Sequence, residues 1–303
     1  MRMSSDELGA IRWKGEGAYR CLSYYFTARW NHPRLGEFVN HVLDPFAVPP
    51  DPSRNRVPPT PGLPAAYSLI DMGPRKEPRF HLLYGEDLLI ATAKRDEVLR
   101  HLFWHVNLET CWQTGDFLLI HAGAVATPTG EGVLLPATAG SGKTTLTAGL
   151  VRAGFGYLSD EAAAIDPVTR QLYPYPKTLN LKKGSFGLFS DLRATNGDLP
   201  PVEGEWHLSP DTIREGAVGP PCPVRFVIAP RYREGSATLL TPITRAETLA
   251  VLWDDIWNLS PYGARALHLL ADVVRGARGF RLEYGDLGEA VEAVGQLTTR
   301  APS

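Results

Sequence analysis

Cysteine is scarce: the 303 residues hold three, Cys21, Cys111 and Cys222. Their odd number and wide spacing exclude a disulfide framework and a CxxC metal pattern, which fits a reducing compartment. An excess of one charge is also lacking. With 31 basic against 33 acidic residues, nothing in the composition favours non-specific nucleic-acid binding. No uncharged apolar run approaches the ~20 residues that a membrane span needs. No apolar stretch behind Arg2, Asp6 and Glu7 reads as a signal peptide. Internal repeats and coiled-coil heptads are missing as well. What is there is core material: 44% of residues are apolar, enough for one large or two ordinary domains. The expectation is a cytoplasmic globular protein with no nucleic-acid and no membrane partner.

Proline punctuates the chain first. Asp44–Pro64 holds eight prolines, and since proline fixes φ and lacks an N–H, this stretch reads as a loop or connector. It lies inside an N-terminal α+β region, residues 1–110, whose residues 11–43 are rich in aromatics. Strand-like runs follow at Phe80–Tyr84 and Leu88–Ala91. Val98, Leu99, Leu102, Phe103 and Val106 then recur at helical spacing within Arg95–Gln113. Phe103, Trp104 and Trp112 on that helix are expected in the core.

Residues 111–303 read as a second domain of alternating elements. Phe117–Ala126 and Gly132–Pro136 are expected strands, and Lys143–Ala153 an expected helix ended by a left-handed Gly154. Tyr157–Ser159 begins another strand. If it runs parallel to Gly132–Pro136 across the helix, the three form a right-handed βαβ unit with both strands ending at one sheet edge. A long irregular segment at 184–222 is a candidate gating loop. Strands are expected at Val224–Ala229, Thr238–Leu240 and Gly279–Tyr284. Helices are expected at 245–258, 262–276 and 287–297, with Thr244 and Glu247 spaced as a capping box.

Between the strand at 132–136 and the helix at 143 stands Ala137-Thr-Ala-Gly140-Ser-Gly142-Lys143-Thr144, the P-loop pattern with alanine in the first glycine position. Glycines at 140 and 142 allow a tight turn that aims successive N–H groups at phosphate oxygens, and the helix adds its positive end. Ala139, Gly140, Ser141, Gly142, Lys143, Thr144 and Thr145 would cradle the nucleotide. Lys143 would meet the β and γ phosphates, and the Thr144 hydroxyl would ligate Mg²⁺. Sixteen residues after Thr144, Asp160-Glu161 arrives at the end of the next strand. Carboxylates there can bind Mg²⁺ or accept a proton from an attacking hydroxyl. His121 lies on the preceding strand. The other histidines, including His101, His105 and His207, show no metal-ligand spacing.

The run FLLIHAGAV…GVLLPATAGSGKTTL…GYLSDEAAAIDP resembles the C-terminal catalytic domain of HPr serine kinases. It is more similar still to HPr kinase-related kinases (the HprK-related kinase A group, with relatives of lasso-peptide kinases). The similarity continues through YPKTLNLKKGSF, VIAPRY and RLEYGDLGEAV, so it spans about residues 100–300. It implies an α/β P-loop kinase core of the HPr kinase and phosphoenolpyruvate-carboxykinase-like type. It further implies that Asp160 is the base for the substrate hydroxyl, near the metal, and that His121 contacts it. Lys182 and Arg231 match family positions that could meet phosphate or substrate. This chain departs from HPr kinases in having Asp160-Glu161 for two aspartates and Thr144 for serine. It also lacks recognisable segments for docking HPr.

Together these readings predict an ATP- and Mg²⁺-dependent kinase that phosphorylates a hydroxyl, a serine of a peptide or small protein. A small-molecule kinase and a non-catalytic nucleotide-binding module are the alternatives. Lys143, Asp160 and His121 are the expected catalytic set, and Thr144, Asp160 and Glu161 the metal set. No NKxD-like guanine motif is present, which disfavours a GTPase. HPr kinases assemble, so a homo-oligomer would be in keeping with the resemblance.

Overall fold

Tyr24, Phe26, Ala28 and Trp30 alternate with less buried neighbours, the period-2 pattern of a strand with one buried face. They lie on β2 (Tyr24–Trp30), which pairs antiparallel with β1 (Gly15–Cys21) after the short helix α1 (Ser5–Gly9). The computed structural model describes residues 2–48, 66–138, 140–193 and 204–299. Two units divide the chain: Met1–Thr114 with Asp198–His207, and Gly115–Gly197 with Leu208–Ser303.

In the first unit, helix α2 (Pro33–Leu43) starts where proline is tolerated, in its first turn, with His32 accepting from the Arg34 N–H. Strands β3 (Ala66–Asp71), β4 (Phe80–Tyr84) and β5 (Asp87–Thr92) complete a sheet of order β1-β2-β3-β4-β5, in which β2 and β3 are parallel. Of the proline-rich stretch, Asp44–Phe46 forms a short 3-10 turn; the remainder from Pro49 lies outside the described residues. Helix α3 (Arg95–Gln113) buries Val98, Leu99, Leu102, Val106 and Thr110. The core expectation for its aromatics needs correction: Trp104 is 57% and Trp112 81% exposed. Trp104 lies on the helix face away from that stripe and Trp112 in the last turn, and both indoles are left to solvent.

The second unit is built on β6 (Leu118–Ala126), β7 (Gly132–Pro136), helix α4 (Lys143–Arg152), β8 (Gly156–Ser159), β9 (Ala162–Ile165), β10 (Gln171–Tyr173) and β11 (Leu179–Lys182). After it come β12 (Glu205–Leu208), whose first three residues are counted with the first unit, and then α5 (Pro210–Ile213), β13 (Cys222–Tyr232), β14 (Leu239–Ile243), α6 (Arg245–Trp253), α7 (Leu259–Tyr262), α8 (Ala264–Arg275), β15 (Arg278–Tyr284) and α9 (Leu287–Thr299). The main sheet runs β10-β9-β6-β7-β13-β15-β14, with β8 also paired to β6. β13 is parallel to both β7 and β15. The result is a mixed α/β fold.

The expected βαβ unit takes a different form. β7 and β8 do run in the same direction across α4, but β6 lies between them, antiparallel to both. Pro136 sits opposite Ala122 and Ser159 opposite Ala124, so β7 and β8 still end at one edge. Apolar alternation reveals a strand but not its neighbours, which is why β6 looked like a prelude and is the centre.

Two further expectations change. Segment 184–222 is not irregular throughout: Lys183–Arg193 holds two 3-10 turns broken by a kink at Phe189, with Phe189 and Leu192 buried, and β12 and α5 follow. Arg214 donates to Val151 O and Phe155 O, fastening the end of α5 to the α4 terminus. Residues 194–203, including Gly197, lie outside the described ones, and the gating idea loses the continuous loop it was built on. The helix expected at 245–258 ends at Trp253. Residues 255–258 instead run along β6: His121 N–H donates to Asp255 O (2.7 Å), Trp257 N–H to Leu119 O (2.9 Å), and Asn258 Oδ1 accepts from Leu119 N–H (2.8 Å). The Thr244–Glu247 capping box is present, with both reciprocal bonds.

Even-numbered residues of β6, Leu118, Ile120 and Ala122 among them, join Val227, Leu252 and Leu270 in one buried cluster with α6 and α8. Each such aliphatic side chain contributes about 1.5–3 kcal/mol by leaving water. The odd-numbered face, with His121 and Gly123, is turned the other way. A Cβ on Gly123 would meet Thr147 Oγ1 at 2.7 Å and Lys143 Cγ at 3.3 Å, so α4 rests directly on β6 there.

Candidate functional site

The glycine-rich loop ends β7 and starts α4. Gly140 (φ 84°) and Gly142 (φ 87°) are both in the left-handed region that glycine enters without strain. Gly142 also N-caps α4, and no side chain caps that end of the helix. Two neighbouring carbonyls are tied back: Tyr232 N–H donates to Ser141 O (3.0 Å), and the Tyr284 hydroxyl and Leu146 N–H donate to Gly142 O (3.2 and 2.8 Å). Because N–H and C=O of one peptide unit point in opposite directions, the following N–H groups, of Gly142 and Lys143, are turned to the other side. Ser141 Oγ is buried with no hydrogen-bond partner among the described residues. Ala139 lies outside the described residues. A loop of this shape, with an orphaned hydroxyl and an uncapped helix start, fits a phosphate chain.

Ala at position 142 would put its Cβ 2.3 Å from Tyr284 Oη in a backbone that L residues rarely adopt. Gly142→Ala is therefore expected to cost about 1–3 kcal/mol. Urea denaturation of the variant against wild type checks this.

Lys143 opens α4 and is buried, 8% exposed, with Nζ 3.4 Å from Ala137 O. Burial lowers its pKa, while Asp160, Glu161 and Asp255 act to hold its proton. Thr144 and Thr145 are half-buried, and Thr145 Oγ1 is 2.6 Å from Ser185 Oγ.

Asp160 and Glu161 interrupt what would otherwise be one strand beside β6. Ser159 Oγ accepts from the N–H groups of both Glu161 (3.2 Å) and Ala162 (3.0 Å), bending the chain between β8 and β9. Asp160 is 3% exposed. What holds it is a residue the sequence did not single out: Lys177 is 1% exposed, and its Nζ lies 2.9 Å from Asp160 Oδ1 and 2.9 Å from Glu161 Oε2. The same ammonium donates to Thr178 O at 3.2 Å. Burial works against the Lys177 charge, but Asp160 and Glu161 more than compensate and raise its pKa. Tyr157, on β8, shares its hydroxyl proton between Asp160 Oδ1 (3.1 Å) and Lys177 O (2.9 Å).

His121 is half-buried beside this pair, opposite Ala162, with Ala122 N–H donating to Glu161 O (3.1 Å). Its ring stacks on Trp257, with centroids 4.8 Å apart and planes at 16°. No hydrogen bond joins His121 to Asp160 among the described residues; orientation of that carboxylate comes from Tyr157 and Lys177. Burial, then Lys143, lowers the His121 pKa, so the ring is neutral at pH 7. Asp255 is a third carboxylate here; burial raises its pKa, with His121 and Lys143 pulling the other way.

Below the ordinary value of 6.5 the unfolded chain binds a proton that the folded His121 ring resists, so stability falls as pH drops through that region. His121→Gln is expected to flatten this part of the slope, read from urea midpoints at pH 7.5 and 5.5.

Lys143, Asp160, Glu161 and His121 are thus brought to one place, within electrostatic reach of one another. Lys182 and Arg231 are not part of that cluster; both are exposed, at the ends of β11 and near the end of β13. Arg231 does precede Tyr232, whose N–H holds the loop. Sequence reasoning missed Lys177, Tyr157, Asp255 and Trp257. The one available signal was for Tyr157, a polar-tipped side chain three residues before Asp160 on the strand that leads to it.

Asp160, Glu161 and Thr144 offer hard oxygen donors of the kind Mg²⁺ takes alongside phosphates and water. Among the described residues no group of three or more His, Cys, Asp or Glu could hold a metal ion. An ion here would complete its shell from ligand and solvent.

No protein-family model and no curated protein matches the chain. Among solved structures, the Hpr(Ser) kinase/phosphatase from Coxiella burnetii is similar at a TM-score of 0.32 and 14% identity. The match covers 60% of this chain and 99% of that one. A likeness of that depth carries no argument about chemistry, so the functional reading rests on the site. No helix among the described residues is long and apolar enough to cross a membrane.

Proposed function

We propose that the chain is an ATP-dependent phosphotransferase acting on a hydroxyl, a serine of a peptide or small protein. The observation that carries this reading is the buried Lys143 at the start of α4, facing a fixed carboxylate pair. That is the arrangement in-line phosphoryl transfer needs: cations and N–H groups around the phosphates, and a carboxylate at the acceptor.

The N–H groups of the loop and Lys143 would bind the β and γ phosphates, and Lys143 would neutralise charge building on the transferred group. Thr144 and the acidic pair would hold Mg²⁺, which supplies further charge neutralisation when bound. The acceptor oxygen forms its bond to the γ-phosphorus as the bond to the leaving ADP oxygen breaks, and the hydroxyl proton passes to Asp160. A loose transition state lets proton transfer lag behind bond formation, so Asp160 both positions the acceptor and takes its proton. His121, neutral and stacked on Trp257, walls the site without adding positive charge.

Calorimetric titration of MgATP into wild type and Lys143→Ala tests the reading. Wild type is expected to bind, and the variant to lose about a hundredfold or more in affinity as a charge-assisted phosphate contact disappears. A wild-type protein that binds no nucleotide would sink the proposal.

A further inference from the structure

Lys177 is the most deeply buried cation of the site and lies off the phosphate loop. Its three ammonium N–H donors meet three acceptors, Asp160 Oδ1, Glu161 Oε2 and Thr178 O, so it is turned away from any phosphate. Its backbone is fixed too, since the Tyr157 hydroxyl that reaches Asp160 also reaches Lys177 O. The carboxylates on which a divalent ion would depend therefore already share a cation. A metal ion approaching them meets the charge of Lys177 and, close by, of Lys143. No third His, Cys, Asp or Glu ligand among the described residues offsets that repulsion, and Thr144 brings only a neutral hydroxyl.

We infer that Lys177 is the resident counter-ion of Asp160 and Glu161, and that a divalent ion enters this site only together with a nucleotide. Triphosphate oxygens supply the negative charge and the ligands that the protein withholds. Lys177 is on this view a positioning residue that sets the order of metal entry. The nucleotide half of the inference rests on the phosphotransferase reading; the counter-ion half does not.

The test counts Mn²⁺ bound to the full chain from the loss of its free-ion electron paramagnetic resonance signal. Without nucleotide, wild type and Glu161→Gln are expected to bind Mn²⁺ equally weakly. Lys177→Met is expected to bind it at least about tenfold more tightly, because an unpaired acidic pair becomes available. Adding Glu161→Gln to Lys177→Met should abolish the gain, while Lys177→Arg should show none. Tight Mn²⁺ binding by nucleotide-free wild type that Glu161→Gln weakens would overturn the inference, and this comparison needs no lysine variant to fold. A folded Lys177→Met no tighter than wild type would overturn it as well.

With a non-hydrolysable ATP analogue present, wild type is expected to take up Mn²⁺ that Glu161→Gln loses. If the analogue binds without bringing Mn²⁺, the nucleotide half is wrong. If the analogue does not bind at all, the phosphotransferase reading fails together with that half, and the nucleotide-free titration still decides the role of Lys177.

Discussion

Asp160→Asn is expected to lower turnover about a thousandfold while leaving MgATP affinity within a factor of about three. The amide keeps the shape of the side chain and can still accept from Tyr157, so the strand geometry around it survives. What it loses is the charge that pairs with Lys177 and the ability to take a proton from the acceptor. Nucleotide contacts are assigned mainly to the loop and Lys143, and Thr144 and Glu161 remain to hold the metal, which is why binding and turnover should separate. Single-turnover kinetics beside equilibrium binding would show it. Equal losses in both would mean that Asp160 is part of nucleotide binding and that the acceptor base lies elsewhere, with Asp255 the next candidate.

Lys177→Met is expected to destabilise the second unit by about 3–5 kcal/mol, the usual cost of removing one partner of a buried ion pair. The loss comes from Asp160 and Glu161 left facing each other without a cation, more than from the missing lysine contacts. Asp160→Asn added to Lys177→Met should recover about 1–2 kcal/mol, since one stranded charge is gone. Urea denaturation across this cycle reads both terms. The pH dependence has a definite sign. The Lys177 pKa is raised above the 10.5 of a free lysine, so its contribution is fully present below that value and is lost only as pH rises through the folded one. Between pH 7 and 10 this triad should add no slope to wild-type stability. A Lys177→Met protein as stable as wild type would show that water reaches the pair and screens it.

Local chemistry was legible in the sequence because it depends on neighbours in the chain. The Gly140–Lys143 spacing identified the loop and the helix it opens, and Asp160-Glu161 stood out because they end the next strand only sixteen residues after Thr144. Thr244 and Glu247 announced a helix start that is there. What stayed hidden was non-local. Lys177 sits in a stretch of prolines and polar residues, where a lysine reads as solvated; only folding brings it beside a pair sixteen and seventeen residues earlier. Asp255 and Trp257 looked like the last turn of a helix, because apolar spacing continues past Trp253, yet hydrogen bonds to β6 take that segment. The same competition explains β6 itself. Its central position is set by which strands share its backbone donors, and side-chain alternation is silent about that. Trp104 and Trp112 show the opposite error: bulk and apolarity suggested burial, while helix phase put the first outside and the second stands exposed in the last turn.

Gly123 gives the site a mechanical weak point at a residue with no side chain of its own. With no side chain on the strand beneath it, α4 can settle against β6, and that settling fixes the height of Lys143 above the sheet. One methyl group inserted at this seat would act as a shim under the helix. Its free end, which carries the ammonium, would rise, while Asp160, Lys177 and the strands stayed where they are. Catalytic failure would then come from a change in clearance, with every functional side chain still present and every strand still paired. Natural variants of this chain can be screened for that fault by reading one position.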